Sequence, residues 1–144
     1  MMPDHFSHKE LRIPCQSSVV GSQFLQAVGV AKAARLAEAD EVVYVSGGDG
    51  STSQGDFHEA SNVAAVWELP VLFRVENNGY GLSTPTNEQF KCDNIADKGV
   101  GYGMESHIID GNNIVEIYIK VKAIAESIRK SPRPVLIEFK TFRM

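Results

Sequence analysis

The stretch Val42-Val43-Tyr44-Val45-Ser46-Gly47-Gly48-Asp49-Gly50-Ser51-Thr52-Ser53-Gln54-Gly55 decides the architecture. Four apolar residues in a row, ending in Ser46-Gly47-Gly48, read as a short strand buried on both faces, as in a parallel sheet. A polar, Gly-rich loop follows. A helix then runs from about Gly55 to Trp67, with Phe57, Ala60, Val63, Ala64 and Trp67 on one side. Leu69-Pro70 breaks it, Val71-Leu72-Phe73-Arg74-Val75 is the next strand, and Glu76-Asn77-Asn78-Gly79 stops that strand. Strands alternating with helices predict an α/β domain, a mostly parallel sheet with helices on both faces.

Upstream, residues 1–16 are polar and irregular, so the folded domain is expected to span residues 17–144. Ser22 to about Ala37 reads as a helix with Ser22 as its N-cap. It is small and apolar almost all round, which suggests burial, including against another chain. Gly29 inside it suggests either close approach of a second backbone or plain tolerance. Downstream, Tyr80 to Phe90 reads as a loop, Ile95 to Tyr102 as a short helix and Ser106-His107-Ile108-Ile109 as a strand. Asn113 with Glu116 resembles a capping box. Ile114, Ile117, Tyr118, Val121, Ile124 and Ile128 then form an amphipathic stripe, and Val135-Leu136-Ile137-Glu138-Phe139 is the last strand.

The 144 residues suit one domain. Fourteen Lys+Arg against 18 Asp+Glu give a net charge of -4, without the basic footprint of a nucleic-acid binder. No apolar run approaches the ~20 residues that cross a bilayer, and Met1-Met2-Pro3-Asp4-His5 is not a signal peptide. Cys15 and Cys92 lack metal-type spacing and fit free thiols in a reducing cytoplasm. A soluble enzyme domain and an interaction module both stay open.

The loop after the first strand and Glu76-Asn77-Asn78-Gly79-Tyr80 after the second both lie at the carboxyl edge of a parallel sheet, where such folds place ligands. Glycines admit an anion to the backbone, and the helix near Gly55 offers its positive end. There is no Gly-Lys-Ser/Thr of a P-loop, and Gly48-x-Gly50-x-x-Ser53 lacks the third glycine of a dinucleotide fingerprint. A calcium loop from Asp49 fails at Gln54 and Ala60. Asp49 would repel a phosphate unless a cation lies between, a role that suits Mg²⁺. The same repulsion disfavours a generic flavodoxin-like nucleotide binder. Asn78, 29 residues later, could supply a second oxygen and a nearby carbonyl a third, predicting a Mg²⁺-diphosphate site. The plainer alternative is that Asp-Gly and Asn-Gly are ordinary turns.

Gly48-Asp49-Gly50 followed by Asn77-Asn78 resembles the thiamine diphosphate motif. The flanking Gln54-Gly55-Asp56-Phe57-His58-Glu59-Ala60, Asn62-Val63-Ala64-Ala65 and Leu69-Pro70-Val71 resemble the α subunit of 2-oxo acid dehydrogenase E1 components. The similarity runs from about Gln16 to the C-terminus. Ser83-Thr84-Pro85-Thr86 and Glu88-Gln89-Phe90 look more like the branched-chain (2-oxoisovalerate) type than the pyruvate type.

The resemblance implies a thiamine diphosphate-binding fold and Mg²⁺ held by the side chains of Asp49 and Asn78 and the carbonyl of Tyr80. It implies diphosphate beside Gly50 and Ser51, and the aminopyrimidine ring beside Ser18 and Val20. Ser17, Val19, Ser22 and Gln23 match the place where some relatives hold a monovalent cation, with Val19 replacing a usual proline; an N-cap at Ser22 is the alternative. The implied activity is oxidative decarboxylation of a 2-oxo acid, with acyl transfer to a lipoyl group on E2. Implied partners are an E1 β subunit and the E2 lipoyl domain, with neither nucleic acid nor membrane.

The family's α subunit is much longer, so truncation at both ends is expected, with the isolated chain inactive and no catalytic residue in it. His58 reads as a packing residue, and His5, His8 and His107 have no motif around them. A cytoplasmic protein, or a mitochondrial matrix one in a eukaryote, is implied. Pyruvate or acetoin E1 α, and a non-catalytic module with the same fold, remain alternatives.

Overall fold

The computed structural model describes residues 5–144. Residues 1–4 of the stretch expected to be irregular lie outside it. Between residues 5 and 21 there is neither helix nor strand, apart from one antiparallel bridge between His8 and Ile13. The elements are α1 (Ser22–Leu36), β1 (Val43–Gly48), a 3-10 turn (Asp49–Ser53), α2 (Gly55–Val66), β2 (Val71–Asn77), β3 (Tyr80–Gly81) and β4 (Thr84–Pro85). They continue with α3 (Thr86–Gln89), α4 (Ala96–Gly101), β5 (Glu105–Asp110), α5 (Ile114–Lys130) and β6 (Val135–Lys140).

β1, β2, β6 and β5 form one sheet in that order, with every pairing parallel. α1, α2 and the segment around α4 cover one face. Phe24, Phe57 and Phe73 meet there, with the Phe24 and Phe57 rings edge-on at 5.1 Å. α5 alone covers the other face, packing Ile124 and Ile128 on Leu72, Val135, Ile137 and Phe139. No helix among the described residues is long and apolar enough to cross a membrane.

Several local expectations change. β1 runs on through Ser46-Gly47-Gly48, which pair with Arg74, Val75 and Glu76. Gly47 is needed inside the strand: a Cβ there would lie 2.5 Å from Ser51 Oγ and 2.6 Å from Phe24 Cζ. Ser22 is not the N-cap of α1. Gly21 takes that position at φ 92°, and the Ser22 hydroxyl donates back to the Val19 carbonyl. α1 is buried on one face only, through Phe24, Ala27, Val28, Ala31 and Ala34, while Leu25, Val30 and Leu36 face outward. A Cβ on Gly29 would touch nothing, so no second backbone among the described residues approaches it. Tyr80 to Phe90 is not a plain loop but a two-stranded ribbon, turning through Leu82 at φ 57°, followed by one helical turn. Asn113 does cap α5, accepting from the Glu116 N–H at 3.1 Å, but the reciprocal half of the box is absent because Glu116 pairs with Lys120.

At the start of β5, burial alone would push the Glu105 carboxyl up. Hydrogen bonds from His107 and Arg133, with their charges, outweigh it and hold the group below its ordinary value of 4.5. A depressed folded-state pKa stabilises the fold above the unfolded value and is lost as the pH falls through the folded one. Glu105→Gln should cost about 1 kcal/mol or less at neutral pH, since the pair is partly exposed. The urea midpoints of the two proteins should converge as the pH drops below the ordinary carboxylate range; a constant gap would refute the linkage.

Candidate functional site

Parallel pairing aligns the carboxyl ends of β1 and β2, with Gly48 opposite Glu76. Asp49 leaves β1 one residue later, and Asn78 leaves β2 two residues later, on strands ~4.8 Å apart. Both therefore emerge at one sheet edge.

Asp49 is 1% exposed. Its Oδ2 accepts from Gln89 Nε2 at 3.0 Å, and among the described residues Oδ1 receives no hydrogen bond. Asn78 is half-buried, and its Oδ1 accepts from the Tyr80 N–H at 3.0 Å, which fixes the turn into β3. Tyr80 itself is exposed, and its strand β3 packs against the 3-10 turn. There Gly50 and Gly81 cross so closely that a Cβ on either would sit 3.1 Å from the other's Cα. The Ser51 hydroxyl is committed to the Gly48 carbonyl at 2.6 Å, which leaves its backbone rather than its proton for a ligand. The N-cap of α2, Gln54, makes no side-chain cap, so the helix's leading N–H groups are not satisfied from that side chain.

Ser18 and Val20 lie in the exposed segment before α1. Ser18 Oγ is 2.6 Å from His5 Nε2, while His5 Nδ1 is 3.0 Å from the Gln16 carbonyl. Ser17 Oγ accepts from the Val19 N–H at 3.1 Å, and Gln23 Nε2 donates to the Ser46 carbonyl at 3.1 Å. A Cβ on Gly21 would lie 2.9 Å from Gln54 Cβ and 3.7 Å from the Ser51 carbonyl, so this segment abuts the far end of the 3-10 turn. The candidate residues thus reach the turn from two sides. A surface hollow of about 330 Å³ takes in Tyr80 together with Leu82, Ser83, Arg143 and Met144, but not Asp49.

Three supporting residues were given no role by the sequence. Gln89 sits on α3, inside the stretch read as a loop. Lys98 on α4 donates to the Thr52 carbonyl at 3.0 Å and to Thr52 Oγ1 at 2.9 Å, and Thr52 Oγ1 donates to the Asp49 carbonyl at 2.8 Å. Burial lowers the Lys98 pKa, with Cys92 opposing. Glu138, 0% exposed on β6, accepts from Asn77 Nδ2 at 2.7 Å and from the Ala96 N–H at 3.0 Å, and pairs with Lys140 at 2.6 Å. Only its apolar neighbourhood was visible beforehand. His58 shares a 2.5 Å hydrogen bond with the Tyr102 hydroxyl and lies edge-on to Phe57. Burial, and then the charge of Lys98, lower its pKa.

Among the described residues no cluster of three or more His, Cys, Asp or Glu could hold a metal. The donor set at this edge is one carboxylate, one amide oxygen and backbone carbonyls. Such hard oxygen donors suit a Mg²⁺ ion that draws its remaining ligands from phosphates and water.

The profile of the family described as dehydrogenase E1 component matches residues 1–144. The α subunit of 2-oxoisovalerate dehydrogenase from Bacillus subtilis (strain 168) is 45% identical over 143 residues, covering 99% of this chain and 43% of that protein. The mitochondrial 2-oxoisovalerate dehydrogenase α subunit of Homo sapiens is 42% identical over 143 residues, 99% of this chain and 32% of that one. The chain therefore spans less than half the length of these curated relatives. Among solved structures, transketolase from Leishmania mexicana superposes with a TM-score of 0.74 at 25% identity, over 87% of this chain and 20% of that one. A Mycobacterium smegmatis enzyme described as thiamin diphosphate-dependent gives 0.71 at 23% identity, over 92% and 24%, a likeness of fold alone.

Proposed function

This chain belongs to the dehydrogenase E1 component family, and from that premise we propose that it is the Mg²⁺- and diphosphate-holding part of a branched-chain 2-oxo acid dehydrogenase E1 α subunit, with thiamine diphosphate as cofactor. The observation that carries the reading is the emergence of buried Asp49 and of Asn78 at one edge of neighbouring parallel strands. The close Gly50–Gly81 crossing supports it, because it ties the turn that follows Asp49 to the strand that begins at Tyr80.

In this reading the side chains of Asp49 and Asn78 and the Tyr80 carbonyl hold Mg²⁺, and the backbone of Gly50 and Ser51 faces the diphosphate. Ser18 and Val20 meet the aminopyrimidine ring, with His5 fixing the Ser18 hydroxyl. A structural monovalent cation takes oxygens of Ser17, Val19, Ser22 and Gln23, where the Ser22 hydroxyl already meets the Val19 carbonyl. When bound, the cofactor supplies the carbon nucleophile and electron sink that decarboxylate a 2-oxo acid and pass its acyl group to lipoyl-E2. The rest of the site comes from an E1 β subunit, so the 144 residues alone do not turn over. The names of the relatives and the Ser83–Phe90 segment favour branched-chain substrates over pyruvate or acetoin. The compartment is the cytoplasm, or the mitochondrial matrix in a eukaryote.

Calorimetry on the chain assembled with its β partner tests the reading. Thiamine diphosphate should bind with Mg²⁺ present and not in EDTA, and 2-oxoisovalerate should outcompete pyruvate in reducing an artificial acceptor. Binding that ignores EDTA would remove the metal from the account. Absence of binding would favour a non-catalytic interaction module.

A further inference from the structure

Gln89 is the residue at this edge whose chemistry is half used. Its Nε2 donates twice, to Asp49 Oδ2 at 3.0 Å and to the Thr84 carbonyl at 2.8 Å. Its Oε1 is buried and has no hydrogen-bond partner among the described residues. The same side chain lies over the crossing of Gly50 and Gly81, where Oε1 would be 3.1 Å from a Cβ on Gly81 and 3.6 Å from one on Gly50. A buried acceptor without a donor is costly, and native proteins rarely keep one without a use for it.

We propose that Gln89 is a positioning residue for the Asp49 carboxylate: it pins Oδ2 so that Oδ1 is the oxygen turned to an incoming cation, and its idle Oε1 receives a donor only when the cation arrives with its bound waters. The inference rests on the Mg²⁺-diphosphate reading of this edge. Three features support it. The amide can serve Asp49 only through Nε2, because a carboxylate accepts and never donates, and this fixes Oε1 as the orphan. The second bond, to Thr84, ties the orientation of the amide to the β3–β4 ribbon, whose first strand begins at Tyr80, so one side chain couples both halves of the donor set. Mg²⁺ characteristically keeps several waters, whose O–H groups are the donors that the site otherwise lacks. Partners that orient metal ligands from behind are typically worth about 10–100-fold in metal affinity.

The test is a pair of variants in the assembled E1 protein, Gln89→Met and Gln89→Asn. Methionine fills the space without polar atoms; asparagine keeps the amide but is one methylene too short. Half-saturation by Mg²⁺, followed calorimetrically and by Mn²⁺ paramagnetic resonance at fixed thiamine diphosphate, should need at least about tenfold more metal in both. At saturating Mg²⁺, where the cation compensates the Asp49 charge, both the affinity for thiamine diphosphate and the urea midpoint should stay near the parent's. An unchanged metal requirement in a folded variant overturns the proposal. So does a parallel fall of metal affinity, diphosphate affinity and urea midpoint, which would mark Gln89 as a structural prop. If Gln89→Met does not fold, Gln89→Asn reads the same quantities. A parent protein whose thiamine diphosphate binding ignores Mg²⁺ would instead bring down the reading of the site, and this inference with it.

Discussion

Replacing Asp49 with Asn in the assembled protein is expected to weaken Mg²⁺-dependent thiamine diphosphate binding about a hundredfold or more while leaving the metal-free fold as stable as before, or more so. The two effects have different origins. Asp49 is 1% exposed and is the carboxylate of the proposed donor set, so its charge is what lets a cation sit between protein and diphosphate. An amide at the same place keeps the oxygen but not the charge, and removing merely the partners that orient a metal ligand already costs about 10–100-fold. Without metal, the same charge is a liability, because a buried carboxylate with few donors is expensive to keep. Asn can still accept from Gln89 Nε2 through its own oxygen, so the local packing survives. Titration of thiamine diphosphate at a series of Mg²⁺ concentrations, beside urea unfolding in EDTA, separates the two. If Asp49→Asn required no more Mg²⁺ than the parent, the bridging-cation account of this edge would be wrong.

The residues that could be read ahead of the structure announce themselves through local chemistry. Asp49 and Asn78 stand beside turn glycines directly after apolar runs, and period and punctuation suffice to place both at strand ends. The residues that could not be read ahead act across distance. Gln89 lies 40 positions from Asp49, in a Ser/Thr/Pro/Asn-rich run whose composition describes a loop and conceals a one-turn helix. Lys98 reaches Thr52 across 46 positions, and its half-buried amine has no signature distinct from any solvated lysine. Ser46-Gly47-Gly48 misled in the opposite way: glycines usually end strands, but here Phe24 and Ser51 occupy the space a Cβ would need. The cap of α1 went to Gly21 instead of Ser22 because the chain enters the helix through a left-handed turn, which glycine adopts without strain. Such outcomes are decided by tertiary neighbours, which a single strand or helix pattern does not encode.

Glu138 is where the buried network and the site meet. It sits in Val135-Leu136-Ile137-Glu138-Phe139, a strand that otherwise reads as pure core, and it is 0% exposed. Its two oxygens take the Asn77 side chain, the first backbone N–H of α4 and the Lys140 ammonium. Asn77 in turn accepts from the Gly79 N–H at 3.0 Å, so Glu138 braces the turn that carries Asn78. Glu138→Gln keeps the shape but reverses one end of the group. The new NH₂ must face a donor, either Asn77 Nδ2 or the Ala96 N–H, and one of them goes unsatisfied. Leaving a buried donor unsatisfied typically costs about 1–3 kcal/mol, a large fraction of the stability of a small domain. Glu138→Leu leaves all three donors without a partner and should be at least as damaging. Urea unfolding of the assembled protein should show a lower midpoint with an unchanged slope, the sign of lost stability without a changed unfolded state. Lys140→Met, which leaves the buried Glu138 carboxylate without its cation, should lower the midpoint as well. If Glu138→Gln instead matched the parent, the carboxylate would be a passenger in the core, and the turn bearing Asn78 would be held by its own Asx bonds alone.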